Sequence, residues 1–255
     1  MDPDPSRFRA LARSSPWRWR SARFTVSWRG WGAGAREPVR AWVRRPGMLR
    51  VETLAGHRLT AESARPPVTM VEMTSDGRGR PVEVEWASAA APVLDADGLV
   101  AERPSRRDRP YADPMFQDYR WIAMLDPVEL AVGSPDELDE PDEPGDPVAV
   151  DEVRAVAHGG RPAWEAVLRP RPAYDPTCSC CPLLFSAESE RWEAGASGRT
   201  QDPTLVYATA HRVRLDLGTG ICVLTEELGG SHAGAGHDLR LESVDEPLPD
   251  ALFRR

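Results

Sequence analysis

EPVRAWVRRPGMLRVETL, residues 37–54, decides the fold. Val39, Ala41 and Val43 alternate with Arg40, Trp42 and Arg44. A side-chain period of two is that of a β-strand with one buried face. Pro46-Gly47 follows, a fixed φ and then a residue tolerant of positive φ, which marks a turn. Leu49 and Val51 resume the alternation beyond it, so the stretch predicts a β-hairpin.

The pattern spreads in both directions. Upstream, Ala22, Phe24, Val26 and Trp28 share one face, with Arg23, Thr25, Ser27 and Arg29 on the other. Downstream, short strands are expected at 57–61, 68–73 and 81–86. Further strands at 148–158 and 162–169 flank Gly159-Gly160, and those at 205–217 and 221–227 flank Gly218-Thr219-Gly220. A last alternating strand covers 237–244. Helical signals are few. Residues 7–13 have short helical character, and Asp113-Pro114 and Asp126-Pro127 look like helix starts, with Asp as cap and Pro in the first position. Between them lies the most apolar stretch of the chain, with Met115, Phe116, Tyr119, Trp121, Ile122, Met124 and Leu125. The expected fold is α+β but mainly β: a curved antiparallel sheet, an incomplete barrel, running as one long meander with a few helices on its concave face. The chain is expected to form a single domain over 1–255, interrupted by an acidic, proline-rich and disordered insertion at 133–147.

Composition removes several function classes. No stretch approaches the roughly 20 apolar residues of a spanning helix. Four cysteines in 255 residues are too sparse for a disulfide scaffold. All 32 basic residues are arginine, so a phosphate loop ending in Gly-Lys is impossible. Nucleophile-elbow and zinc-helix motifs are absent, and Gly30-Trp31-Gly32-Ala33-Gly34 fails the dinucleotide pattern because Ala35 stands where the third glycine belongs. The net charge of -8 is unevenly divided: residues 1–110 hold 20 Arg against 13 acids, residues 111–255 hold 12 Arg against 27. The N-terminal arginines alternate with apolar residues along strands, which describes a solvated sheet face, and no nucleic acid is expected. The first twenty residues lack the apolar core of a secretory signal, so a cytoplasmic location is expected, with export only if the start lies elsewhere.

Two groups of residues could carry chemistry. Cys178-Ser179-Cys180-Cys181 places three thiols within four residues. They could hold a soft metal with Cys222 or a histidine completing the shell, form a structural disulfide to Cys222, or act as a redox centre. His232 and His237, five apart near glycines, are a second metal candidate against a solvated loop, while His211 reads as a strand-face residue. Glu83 and Glu85 share one strand face and read as exposed polar positions. Trp17, Trp19, Trp28, Trp31 and Trp42 fall in one stretch and are expected to line a core or cavity.

The hairpin motif at residues 40–52, R-A-W-V-R-R-P-G-M-L-R-V-E, resembles the Pro-Gly hairpin near the start of lipoprotein-carrier-like proteins, which include LolA-like carriers and the lipid-sensing regulator of the sigma-E pathway. Val213, Leu215, Asp216, Thr219 and Gly220 match a second hairpin of that family. The resemblance covers about a quarter of the 255 residues directly. It implies a half-barrel that closes helices over acyl chains or a lipidated partner. The expectation is therefore a non-enzymatic binding protein without a cofactor, with a hydrophobic ligand, a lipid or a protein as partner. Trp28, Trp42, Met115, Phe116, Tyr119 and Trp121 would contact the ligand. The alternatives are a metal-binding or thiol-dependent enzyme centred on Cys178, Cys180 and Cys181, and a regulatory module whose acidic 136–146 loop binds a basic partner.

Overall fold

The computed structural model describes residues 2–30, 36–62, 68–73, 78–84, 90–104, 113–132, 145–176, 178–198, 200 and 202–254. Trp31, Glu85 and the acidic stretch up to residue 144 lie outside them.

The first element is a helix, α1 (Pro5–Arg18), longer than the 7–13 segment that the sequence suggests. The Asp4 carboxylate accepts from the Arg7 amide at 2.9 Å, and Pro5 occupies the first turn. Four strands follow: β1 (Ser21–Arg29), β2 (Val39–Arg44), β3 (Met48–Thr53) and β4 (Arg58–Glu62). Two small separate hairpins come next, β5 (Val68–Met73) with β6 (Gly79–Val84) and β7 (Val93–Leu94) with β8 (Val100–Glu102). A short helix, α2 (Arg120–Leu125), and a 3-10 turn at Val128–Leu130 lead to a second strand group. This comprises β9 (Val148–His158), β10 (Arg161–Pro170), β11 (His211–Asp216), β12 (Cys222–Glu227) and β13 (Gly236–Val244). Helix α3 (Ala187–Ser197) lies between β10 and β11. The sequence reading placed no helix there, although Ser186 and Ser189 form a reciprocal capping box.

Among the described residues one open, curved sheet of nine strands runs β4-β3-β2-β1-β13-β12-β11-β10-β9. The antiparallel, mainly β class is as expected, but the path is not one meander. It is two, joined where β1 pairs with β13 from Ala22↔Val244 to Arg29↔Gly236. Each group has one apolar face, and the seam makes those faces continuous. Phe24, Val26, Ala41, Val43, Val51, Leu239, Val213 and Leu215 are all buried on it. Phe8 and Leu11 of α1 join the same core, and α2 packs against β12. Burying a side chain such as Phe8, Leu11 or Phe24 contributes roughly 1.5–3 kcal/mol.

The convex face explains the alternating arginines. Arg23 and Arg40 reach the Glu242 carboxylate at 3.0 and 3.2 Å across the seam. In the other half, Arg154 and Arg214 both bond to Glu165. Burial alone would raise that carboxyl, but these two guanidinium groups hold it below the usual range.

The Asp216-Thr219-Gly220 motif is structural. The Asp216 carboxylate accepts from the Thr219 amide and hydroxyl, both at 2.9 Å, and from Arg161 at 2.7 and 3.1 Å. Gly220, at φ 74°, lets α1 seat directly on this turn, since a Cβ there would lie 2.8 Å from the Leu11 carbonyl oxygen.

Candidate functional site

The concave face is roofed in part by residues 113–132. The sequence predicts Asp113 as a helix cap. Its carboxylate instead accepts two bonds from Arg45, at 3.0 and 2.6 Å, and the helix starts only at Arg120. Arg36 holds Asp118 at 2.6 Å, and Arg103 donates to Asp126 at 3.0 Å. The roof is thus a largely irregular strip pinned by three arginine–aspartate pairs.

On its inner side, Trp121 of α2 is the centre of an aromatic cluster. Its ring centroid lies 5.4 Å from Phe24, 5.4 Å from Phe116 and 6.5 Å from Trp28. Trp121 is 1% exposed, and its indole N–H has no acceptor among the described residues. Trp28, Phe116 and Trp121 therefore come together, with Phe24 as a fourth member that the sequence did not single out as a site residue. Met115 and Tyr119 lie on the same strip, exposed at its outer side. Trp42 stands apart. The buried face of β2 is Val39, Ala41 and Val43, so Trp42 occupies the convex face, where Arg50 lies 5.9 Å from its ring centroid.

A buried polar chamber adjoins the aromatics. Trp28 pairs with His237 across the seam, His237 with Thr225, and His211 with Glu227, so these side chains share the inner face. The ring nitrogens of His237 are both occupied, one with the Thr225 hydroxyl at 2.9 Å and one with the Cys222 carbonyl at 2.8 Å. His237 is thus a core residue of β13 and no loop ligand. His232 is a half-buried turn residue 5.9 Å from the Phe185 ring centroid. Burial lowers both His211 and His237 to about 4. Glu227 is pushed up to about 7 by burial, against the pull of Arg120, and its Oε1 has no partner among the described residues. Burial lowers the Arg120 guanidinium to about 10, and its Nε donates to the Pro182 carbonyl at 3.1 Å. Glu129 accepts from the Tyr174 hydroxyl at 2.6 Å and the Leu183 amide at 2.9 Å. Sequence reasoning missed Arg120, Glu129 and Glu227. The available signal was a charge set inside an apolar run, since buried charges persist only when partnered.

The cysteine loop flanks this chamber. The Cys178 and Cys180 sulfurs are 3.0 Å apart and those of Cys180 and Cys181 3.7 Å. All three lie within 4.8 Å of one another. The four cysteines are free, so no disulfide reaches Cys222, whose thiol is buried and faces the Leu224 carbonyl. No helix among the described residues is long and apolar enough to cross a membrane.

No protein-family model and no curated protein matches the chain. Solved structures do. The Pseudomonas aeruginosa MucA/MucB complex matches at 15% identity and a TM-score of 0.39, covering 99% of this chain and 62% of that one. A MucB crystal structure matches at 16% and 0.40, covering 96% and 60%. LprF from Mycobacterium bovis matches at 13% and 0.35, covering 98% and 97%. The chain spans about three-fifths of the length of the first two.

Proposed function

We propose that the protein is a non-enzymatic binding protein that takes an apolar chain, free or carried by a lipidated partner, between the sheet and the 113–131 strip. Trp121 carries this reading. It sits where the strip meets the seam, it touches three other aromatic rings, and its N–H is buried without an acceptor. An unsatisfied buried donor costs about 1–3 kcal/mol, which a ligand oxygen placed there would recover. An acyl chain entering between the sheet and the strip would meet Phe24 and Trp28 from the sheet and Phe116 from the strip, with its polar end toward Trp121 or the Glu227–His211 chamber. The strip's first seven residues are irregular and are held by the Asp113 and Asp118 ion pairs, so this part is easier to lift than a long packed helix. Exposed Met115 and Tyr119 would be the first side chains met from outside.

The test is native mass spectrometry of the purified protein, with titration of a fluorescent fatty acid. The reading expects an apolar adduct or saturable one-to-one binding, weakened about tenfold or more by Trp121→Ala. If no adduct survives and the fatty acid fails to bind, the reading is wrong.

A further inference from the structure

We infer that Cys178, Cys180 and Cys181 form a binding site for one soft d10 metal ion, held by three thiolates on the loop between β10 and α3. This site is separate from the apolar chain site proposed above.

Convergence of the sulfurs is the first support. A thiolate–metal distance of about 2.3 Å sets bound sulfurs about 3.7–4.0 Å apart. Cys180 and Cys181 already have that spacing at 3.7 Å, and Cys178 needs only a small outward shift from its 3.0 Å approach to Cys180. A simple dithiol couple would use two sulfurs and give no reason for a third beside them.

The loop is also held in place without an ion. The Cys181 amide donates to the Cys178 carbonyl at 3.2 Å, closing a turn. The hydroxyl of Ser179 donates to Glu193 of α3 at 2.8 Å, and the Arg120 Nε bonds to the Pro182 carbonyl. The ligand arrangement therefore costs little ordering entropy on binding.

Negative charge adjoins the sulfurs, since the Glu193 carboxylate holds Ser179 of the same loop at 2.8 Å, and this favours a bound cation. Binding replaces three S–H bonds by three S–metal bonds and releases three protons, so affinity rises with pH. Arg120, which interacts electrostatically with Cys181, compensates the residual negative charge. Among divalent and monovalent ions, a three-sulfur set selects Cu(I) or Zn(II), the latter with water as fourth ligand.

The test uses the full chain, reduced and kept anaerobic, titrated separately with Zn(II) and Cu(I) against a chromophoric chelator, with stoichiometry read by native mass spectrometry. One ion per chain is expected. Replacing Cys178 and Cys180 by serine should weaken binding at least about tenfold, while Cys222→Ser leaves it unchanged. Both Cys178 and Cys180 stand at the surface or half-buried, so that double variant should fold, which far-UV circular dichroism checks. Less than a tenth of an equivalent of either ion, or undiminished binding by the double variant, overturns the site. A mass two daltons light in the reduced chain, with no metal uptake, does so in favour of a disulfide. None of these outcomes depends on fatty-acid binding, so this inference and the proposed function fail separately.

Discussion

Arg45 and Asp113 meet in a two-pronged ion pair at 3.0 and 2.6 Å, with side chains only 4% and 0% exposed. The same guanidinium lies 3.5 Å from the Trp19 ring centroid. Arg45 belongs to the β2–β3 turn and Asp113 to the start of the strip, so this pair fastens the strip to the sheet.

Removing one partner strands the other charge in a dry site. Asp113→Ala should destabilise the fold by about 3–5 kcal/mol, measured by denaturant unfolding. Arg45→Lys keeps the charge but loses the planar fork, and should fall between wild type and Asp113→Ala. A loss below about 1 kcal/mol for Asp113→Ala would show that the strip is held elsewhere.

Glu227 makes stability fall as pH rises. Its folded value of about 7 exceeds the ordinary 4.5, so between these two values the folded state keeps a proton that the unfolded chain has released. Its stabilising effect is complete below about 4.5 and is lost as pH passes 7, a decline of roughly 3 kcal/mol. His211 and His237 act oppositely: their values near 4 lie below the ordinary 6.5, so stability falls as pH drops from 6.5 to 4. Thermal unfolding across pH 4–8 should show the alkaline-side decline disappear in Glu227→Gln while the acid-side loss persists.

Gly236 cannot be replaced. Its φ is 150°, and a Cβ would lie 1.9 Å from the Thr225 carbonyl oxygen of β12. Gly236→Ala should fail to give folded protein or lose more than about 3 kcal/mol, read from expression and melting temperature. Normal stability would mean that β13 can slide away from β12.

Asp216→Ala would leave the Thr219 amide and the Arg161 guanidinium without their acceptor and loosen the turn under α1. The expected cost is about 2–4 kcal/mol, with increased amide exchange in residues 8–15. Unchanged exchange in that segment would separate the turn from the seating of the helix.

The strands were legible because their partners are near in sequence and one face of each is dry. The alternation at 22–28 and 39–51 therefore maps directly onto β1, β2 and β3. The helices were legible only in part, because the Asp-Pro signal is local and its meaning is not. Asp4-Pro5 and Asp113-Pro114 look alike, yet Asp4 caps α1 while Asp113 is claimed by Arg45 from 68 residues away. The β1–β13 seam is equally non-local, since nothing in either strand names the other. In the site, the clustering of Trp28, Phe116 and Trp121 follows from their apolar surroundings. The facing of Trp42 was already implied by its alternation with Ala41 and Val43. The Glu227–His211 pairing needed the register of β11 and β12.

The seam also sets a timetable for the newborn chain. During synthesis β1 emerges more than 200 residues before its partner β13 is made. Until then the edge of the first strand group is open, with Phe24 and Val26 lacking one flank of their final packing. Such an edge is a template for pairing with other chains. Slow completion on the ribosome should therefore favour aggregation of the N-terminal half, and truncated chains ending before residue 236 should be insoluble although they contain most of the strands.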